Sequence, residues 1–238
     1  LAALEAVLAD GRGIVVVAGP QRIERTQAYH AILERAVRLG GGVISLEGRL
    51  GASIPGTTQL DLLRLKPSSF GTLLHPLPDW LGIDGPLGAL TLRLAVDVAL
   101  HGNAVVITVP APDGESALLR LELAGVPRRL LEISVCAVLA RRVLPRVCPH
   151  CRFARERRTP AGSQSYVGLG CAACADQGTA EPLPLAELVR PYDQGTQPFT
   201  GTAPLAERVR LLVEAGDVQP EAVSDLLGGV AAKFSAGY

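Results

Sequence analysis

Two rhythms of apolar and polar positions alternate along the first 145 residues. Short runs rich in β-branched residues recur at Ile14 to Ala18, Val43 to Leu46, Trp80 to Ile83 and Ala104 to Val109. Runs of this kind are expected of strands buried on both faces of a parallel sheet. Between them the period lengthens to that of a helix. Ala28, Ile32, Ala36 and Leu39 share one side of a helix that begins at Glu24 and stops at Gly40-Gly41-Gly42. Pro86 opens a helix through His101, with Leu90, Leu94 and Val98 inward and Gly102 as its stop. Asp113 is placed to cap a helix over 114–124 that Gly125 ends. Pro127 opens a long helix to about Leu144, with Leu130, Leu131, Val135, Val138 and Leu139 inward. Arg141 and Arg142 fall in its last turn, where the helix dipole favours cations. A short amphipathic helix over 1–10 leads into the first strand. Residues 47–78, rich in Gly, Pro, Ser and Thr, read as loops and short strands near a sheet edge. Strands alternating with helices predict an α/β domain with a mostly parallel sheet covered on both faces.

Three segments follow from this pattern. Residues 1–145 form the α/β domain, 146–182 a cysteine-bearing module, and 183–238 a helical segment with helices near 203–215 and 219–227. No run reaches 18 apolar residues, so no transmembrane helix is expected. Basic and acidic residues balance at 23 each, which gives no argument for nucleic acid or an anionic membrane as a bulk partner. The first ten residues are too short and too acidic for a signal peptide. The absence of Met points to a fragment, and whether upstream domains exist is left open.

Four of the five cysteines are spaced as C-x2-C, nineteen residues, C-x2-C: Cys148, Cys151, Cys171 and Cys174. Thiolates on two such knuckles close a tetrahedral shell around one zinc ion. A closed shell leaves no open position for chemistry, so the zinc is expected to be structural, and the compartment reducing. His150 lies inside the first knuckle and reads as a surface residue. Cys136 reads as a small buried apolar residue in the preceding helix. Arginines 141, 142, 146, 152, 155, 157 and 158 form a basic run. Its plain reading is a solvated knuckle surface, and its sharper one a docking face for an acidic partner or a neighbouring subunit. His30, His75 and His101 show no partner spacing and receive no role.

The stretch from Gly13 to Gly40 has the frame of a phosphate-binding loop, whose pattern is G-x-x-x-x-G-K-[ST]. The eight residues here run from Gly19 to Thr26. Gly19 and Thr26 fit. Glu24 replaces the second glycine and Arg25 the lysine. A phosphate cradle curls its N–H groups into an anion nest, which needs positive φ and no side chain in the way. Glu24 instead brings a carboxylate to the place of a phosphate. Arg25 keeps the charge on a broader, planar group. An ordinary βα turn and a decayed nucleotide site both fit the motif taken by itself.

Further motifs separate the two. Ala99-Leu100-His101-Gly102-Asn103, the strand from Ile107 through Asp113, Leu119-Arg120-Leu121 to Gly125-Val126, and Leu139-Ala140-Arg141-Arg142-Val143 to Cys148-Pro149-His150-Cys151 stand in this order. Together with Pro55-Gly56 and Gln59, and the terminal PLAERVRLLVEAG with PEAVSDLL, they resemble the C-terminal, RecA-like domain of the motor ATPases of type II secretion and type IV pilus assembly. The resemblance implies a P-loop NTPase fold, ring assembly of hexamer type with like or unlike subunits, and a cytoplasmic protein, or one peripheral at the inner membrane, in contact with its platform proteins. It also shows departures. Of the family's acidic segment only Glu47 survives, Gly48 to Gly51 replacing the rest. The catalytic glutamate of the strand beginning near Asp79 falls on Gly85, with Asp84 one residue early. The histidine of the next motif falls on Pro110.

Hydrolysis of a triphosphate needs a phosphate cradle with its cation, a metal-holding acid and a water-orienting base. The expectation is therefore a pseudo-ATPase, a structural or regulatory ring subunit with structural zinc and no catalytic residue. The alternative is an active motor that places Arg25 and Thr26 on phosphate and Asp84 or Asp79 on Mg²⁺. Whether ATP and Mg²⁺ bind is left open between them. An unrelated zinc-containing interaction module is a third reading, against which the long α/β region argues.

Overall fold

The computed structural model describes residues 2–66, 69, 75–158, 164–190 and 204–227. The rest of the expected C-terminal helical segment, 191–203 and 228–238, and part of the 47–78 loop region lie outside them. Strand β1 (Gly13–Gly19) sets the architecture. Ile14, Val16 and Ala18 pack into one apolar cluster, and Val15 and Val17 into another. A strand that buries both faces must be interior to a covered sheet. Each Val or Ile so buried contributes about 1.5–3 kcal/mol.

The chain divides into two compact units. The first runs to Ala140 and takes up the chain again from Leu188, and the second holds Arg141 to Glu187 with the last two helices. The first unit begins with α1 (Ala2–Asp10), β1, α2 (Arg22–Arg38), β2 (Val43–Glu47) and β3 (Thr57–Asp61). It continues with β4 (Trp80–Asp84), α3 (Ala89–Leu100), β5 (Ala104–Pro110), α4 (Gly114–Leu123) and α5 (Arg128–Ser134). Then come β6 (Val135–Val147), β7 (Arg152–Arg158), β8 (Gln164–Gly168) and β9 (Thr179–Val189), followed by α6 (Leu205–Glu214) and α7 (Pro220–Leu227).

The main sheet has seven strands in the order β3-β2-β4-β5-β1-β6-β9, and the pairs from β3 through β6 are parallel. Tyr29, Ile32, Leu33 and Ala36 of α2 belong to the cluster on one face, with Val7 and Leu8 of α1. Leu92, Ala95 and Val96 of α3, Leu121 of α4 and Leu131 of α5 belong to the cluster on the other. Gly82 sits where α2 crosses β4. A Cβ there would run into the Tyr29 hydroxyl and come within 2.9 Å of Leu33 Cδ1, so glycine lets the helix lie close. The Asp113 carboxylate accepts from the Ser116 N–H at 2.7 Å and caps α4, as its position in the sequence predicts.

The predicted long helix from Pro127 to Leu144 is not formed. The helix ends at Ser134 and the chain continues as the thirteen-residue strand β6. Val138 faces one core cluster and its neighbour Leu139 the other, an alternation that only a strand permits. The register places Val15 beside Ala137 and Val17 beside Leu139, so the open side of β1 claimed this run. Cys136 is accordingly on a strand. It is half-buried, its thiol lies 3.3 Å from the Ile14 carbonyl, and burial pushes its pKa up to about 11. Arg141 and Arg142 are strand residues too, and Arg142 is fully buried. Residues 183–189, expected at the start of the helical segment, lie in β9.

The second unit has its own small core of Leu144, Leu185, Leu205, Val209, Val218 and Val223. Its β7–β8 hairpin is antiparallel. The basic run is not one solvated surface. Arg142 is buried, Arg146 pairs with Asp217 at 3.3 Å, Arg155 pairs with Glu221 at 2.8 Å, and Arg152 lies over the Tyr166 ring. The side chains of Arg157 and Arg158 lie outside the described residues.

Candidate functional site

Three parallel strands, β2, β4 and β5, bring polar side chains toward their carboxyl ends beside the end of β1, where open α/β sheets bind ligands. The β1–α2 loop is the first element of this site. Its geometry runs opposite to that of an anion nest. Arg25 reaches back from the first turn of α2 and donates through Nη1 to the carbonyl oxygens of Gly19 at 2.6 Å and Pro20 at 3.1 Å. The loop thus turns carbonyls, not amides, toward the enclosed charge. Burial pulls the Arg25 pKa below its ordinary value, and the nearby Asp84 and Glu24 carboxylates oppose that shift. Glu24 is wholly buried, and its Oε2 accepts the Gln21 N–H at 3.1 Å. A carboxylate of the chain therefore holds an amide that a phosphate would need.

Asp84 ends β4 and is 4% exposed. Thr26 Oγ1 donates to its Oδ2 at 3.0 Å and Thr108 Oγ1 to its Oδ1 at 2.6 Å. The Arg22 guanidinium stands 3.8 Å from Oδ2. A loop threonine beside a strand-end aspartate is the pair that holds Mg²⁺ in P-loop NTPases. Asp84→Ala would leave two hydroxyls without their acceptor. The expected cost is about 1–3 kcal/mol of unfolding free energy, read from urea denaturation. A loss below about 0.5 kcal/mol would show that the hydroxyls re-pair.

A second network adjoins the first, because Glu47 and Asp84 are register partners on β2 and β4. Glu47 is fully buried and accepts at Oε1 from Ser45 Oγ at 2.7 Å and from Gln59 Nε2 at 2.8 Å. Ser45 has one hydroxyl proton and spends it on Glu47. The Tyr29 hydroxyl, 2.7 Å away, is then the donor to Ser45. Burial raises the Tyr29 pKa well above its ordinary value, so this phenol stays protonated to donate. His30 Nε2 lies 3.8 Å from Glu47 Oε2.

The sequence placed Gly19, Glu24, Arg25, Thr26, Glu47 and Asp84 near one another, and the structure brings all six to this edge. Asp79 is elsewhere. It precedes β4 at the opposite edge of the sheet, where its carboxylate accepts the Gly42 N–H at 2.7 Å, so it cannot share a metal with Thr26. Gly85 has no side chain to offer and little room for one. A Cβ there would come within 3.0 Å of the Gly48 nitrogen and 3.1 Å of Leu62 Cδ2. Tyr29, His30, Ser45 and Thr108 received no role from the sequence. Ser45 and Thr108 did carry a signal, each being a polar residue set within an apolar strand run.

In the second unit the four cysteines converge. All four sulfurs lie within 4.8 Å of one another, and none is in a disulfide. Measured pairs are 4.0 Å for Cys148 to Cys171 and 3.8 Å for both Cys151 to Cys174 and Cys171 to Cys174. A tetrahedron with metal–sulfur bonds near 2.3 Å has edges of about 3.8 Å, so the donor set fits one tetrahedral ion. The second knuckle turns tightly through Ala175 and Asp176, both at positive φ. Burial alone would raise the Cys174 thiol, but the N–H groups of Cys171 and Gly178 hold it down to about 7. Burial pushes Cys151 up to about 12. Sulfurs this close could all be thiolates only with a cation between them.

The family model described as type II/IV secretion system protein matches residues 1–203 of the chain. The type II secretion system protein HxcR of Pseudomonas aeruginosa is 29% identical over 192 residues, which cover 79% of this chain and 39% of that one. The type IV pilus assembly ATPase PilB of Thermus thermophilus is 24% identical over 199 residues, covering 77% of this chain and 22% of that one. The chain thus spans less than half the length of these relatives. Among solved structures, the ATPase DotB of Legionella pneumophila superposes with a TM-score of 0.64 at 12% identity, over 96% of this chain and 63% of that one. That likeness speaks for the fold.

Proposed function

Because the chain belongs to the type II/IV secretion system protein family, we propose that it is a catalytically degenerate member, a structural or regulatory ring subunit of a type II secretion or type IV pilus machine. One observation carries this reading: Arg25 is clamped by the carbonyls of Gly19 and Pro20 while Glu24 holds the Gln21 amide. The phosphate cradle is filled by the chain's own side chains. A triphosphate entering it would have to displace a buried carboxylate and turn the loop over. The absence of a side chain at Gly85 removes the water-orienting base as well.

The test is thermal stability. Mg-ATP at millimolar concentration is expected to raise the melting temperature by no more than Mg²⁺ alone. A ligand present at a hundred times its Kd stabilises by about 2.7 kcal/mol, which is easily seen. A clear additional rise with ATP would overturn the proposal.

A second reading rests on a different contact. Thr26 Oγ1 and Asp84 Oδ2 stand 3.0 Å apart, a pair that would suit a metal between phosphate and strand. On this reading the chain is an ATP-binding motor domain with an arginine-based loop. It demands ATP turnover that Asp84→Ala abolishes.

The remaining parts of the proposal follow from the same membership. The ring places each subunit beside like or unlike copies, at the cytoplasmic face of the inner-membrane platform. No helix among the described residues is long and apolar enough to cross a membrane. Cys148, Cys151, Cys171 and Cys174 would hold a structural zinc ion, which supplies folding energy and no chemistry.

A further inference from the structure

At the amino-terminal edge of the sheet, opposite the β1–α2 loop, lies a cavity of about 320 Å³ lined by Leu8, Ala9, Gly11, Leu39, Gly41, Asp79, Trp80, Gly102 and Asn103. We propose that it binds an organic cation, an alkylammonium or guanidinium group.

Three helices end at this cavity. Leu8 and Ala9 close α1, Leu39 follows α2, and Gly102 follows the turn that ends α3. The carboxyl end of each helix carries the equivalent of about half a negative charge. Proteins usually answer such ends with a basic side chain in the last turn. Neither α1 nor α3 has one. On α2, Arg35 and Arg38 are in the last turn, but Arg35 pairs with Glu5 at 2.8 Å and Arg38 with Glu34 at 3.7 Å. His101 caps α3 through Nδ1, 2.6 Å from the Asp97 carbonyl. Arg12 is exposed beyond α1 and is not among the lining residues. The Asp79 carboxylate, on an exposed residue, adds to the wall. It is positioned by the Gly42 N–H, and the protein places no cation opposite it within ion-pair distance among the described residues.

The walls suit a slim ligand. A Cβ at Gly41 would come within 2.9 Å of Trp80 Cδ1 and 3.3 Å of its Nε1, so glycine there lets the chain pack on the edge of the buried indole. Gly11 and Gly102 hold positive φ, where the chain turns out of α1 and α3. The negative ends of three helices and the Asp79 carboxylate are the elements of cation recognition here. The ligand has two sources, a basic side chain of a protein partner or a free polyamine-like molecule.

Agmatine, which carries both an ammonium and a guanidinium group, is the probe for isothermal titration against the purified chain. Binding is expected, weakened roughly tenfold in Asp79→Asn and abolished in Ala9→Arg, which supplies the cation from α1. Ala9 is exposed, so its substitution leaves the core untouched, and circular dichroism melts verify folding. A tripeptide Gly-Arg-Gly binding more tightly than agmatine would assign the site to a partner's side chain, and the reverse to a free cation. No heat with either probe at 10 mM, equal binding by a neutral diol, or full affinity in Ala9→Arg would each overturn the proposal.

Discussion

Stripping the metal with a strong chelator, or replacing Cys174 with serine, is expected to unfold the second unit and leave the first folded. Among the described residues, the core cluster of the second unit has six buried apolar members, far fewer than the clusters flanking the main sheet. So small a core does not hold a domain by itself. A closed four-sulfur shell supplies about 10–16 kcal/mol of apparent binding energy, which becomes folding energy. Cys174 is the most informative position. It is buried, accepts N–H bonds from Cys171 and Gly178, and lies 3.8 Å from both Cys151 and Cys171. Serine keeps the shape but gives neither thiolate nor soft ligand. Proteolysis read by mass spectrometry is expected to cut rapidly within 148–187, while the fragment up to about residue 140 survives. Native chain should release about one zinc per molecule on titration with a mercurial. Chain purified without metal that melts unchanged would refute the structural role.

How far the sequence carries the fold depends on what each run has to choose between. Ile14 to Ala18 is too short for a helix and ends in Gly19-Pro20, so a strand was the remaining choice. Val135 to Leu144 had no such limit. It is apolar enough for a helix face and, buried on both sides of a central strand, shows no alternation to betray itself. What decided it was the vacant edge of β1, a tertiary fact. Strand β9 hid for another reason: Pro182 and Pro184 sit inside it, and proline argues against a strand. The site divides the same way. Gly19 to Thr26 is contiguous and its departures can be read off a motif. The network through Tyr29, Ser45, Glu47 and Gln59 joins α2, β2 and β3, and exists only once the register sets Ser45 opposite Gln59. The cysteine module was legible because ligand spacing is itself local geometry.

The double variant Glu24→Gly/Arg25→Lys is expected to show an ATP-dependent stabilisation, and the native chain none. Glu24 contributes a buried carboxylate that holds the Gln21 N–H, and glycine both frees that amide and permits the positive φ a nest requires. Arg25 donates through the single nitrogen Nη1 to both the Gly19 and Pro20 carbonyls. Lysine is shorter and ends in a compact charge, which suits a phosphate better than the broad guanidinium does. Thr26 and Asp84 already stand where a metal between phosphate and strand would need them. At ATP near a hundred times Kd the gain is about 2.7 kcal/mol, or roughly 5–10 °C in melting temperature for a domain of this size. Hydrolysis is not expected to return with binding. Gly85 lacks the base, and the 3.0 Å approach of a Cβ to the Gly48 backbone means that a glutamate there must first move the β2–β3 loop. If neither single nor double variant responds to Mg-ATP, the block is not in these two side chains. If the native chain responds as strongly as the double variant, the loop was never closed to phosphate.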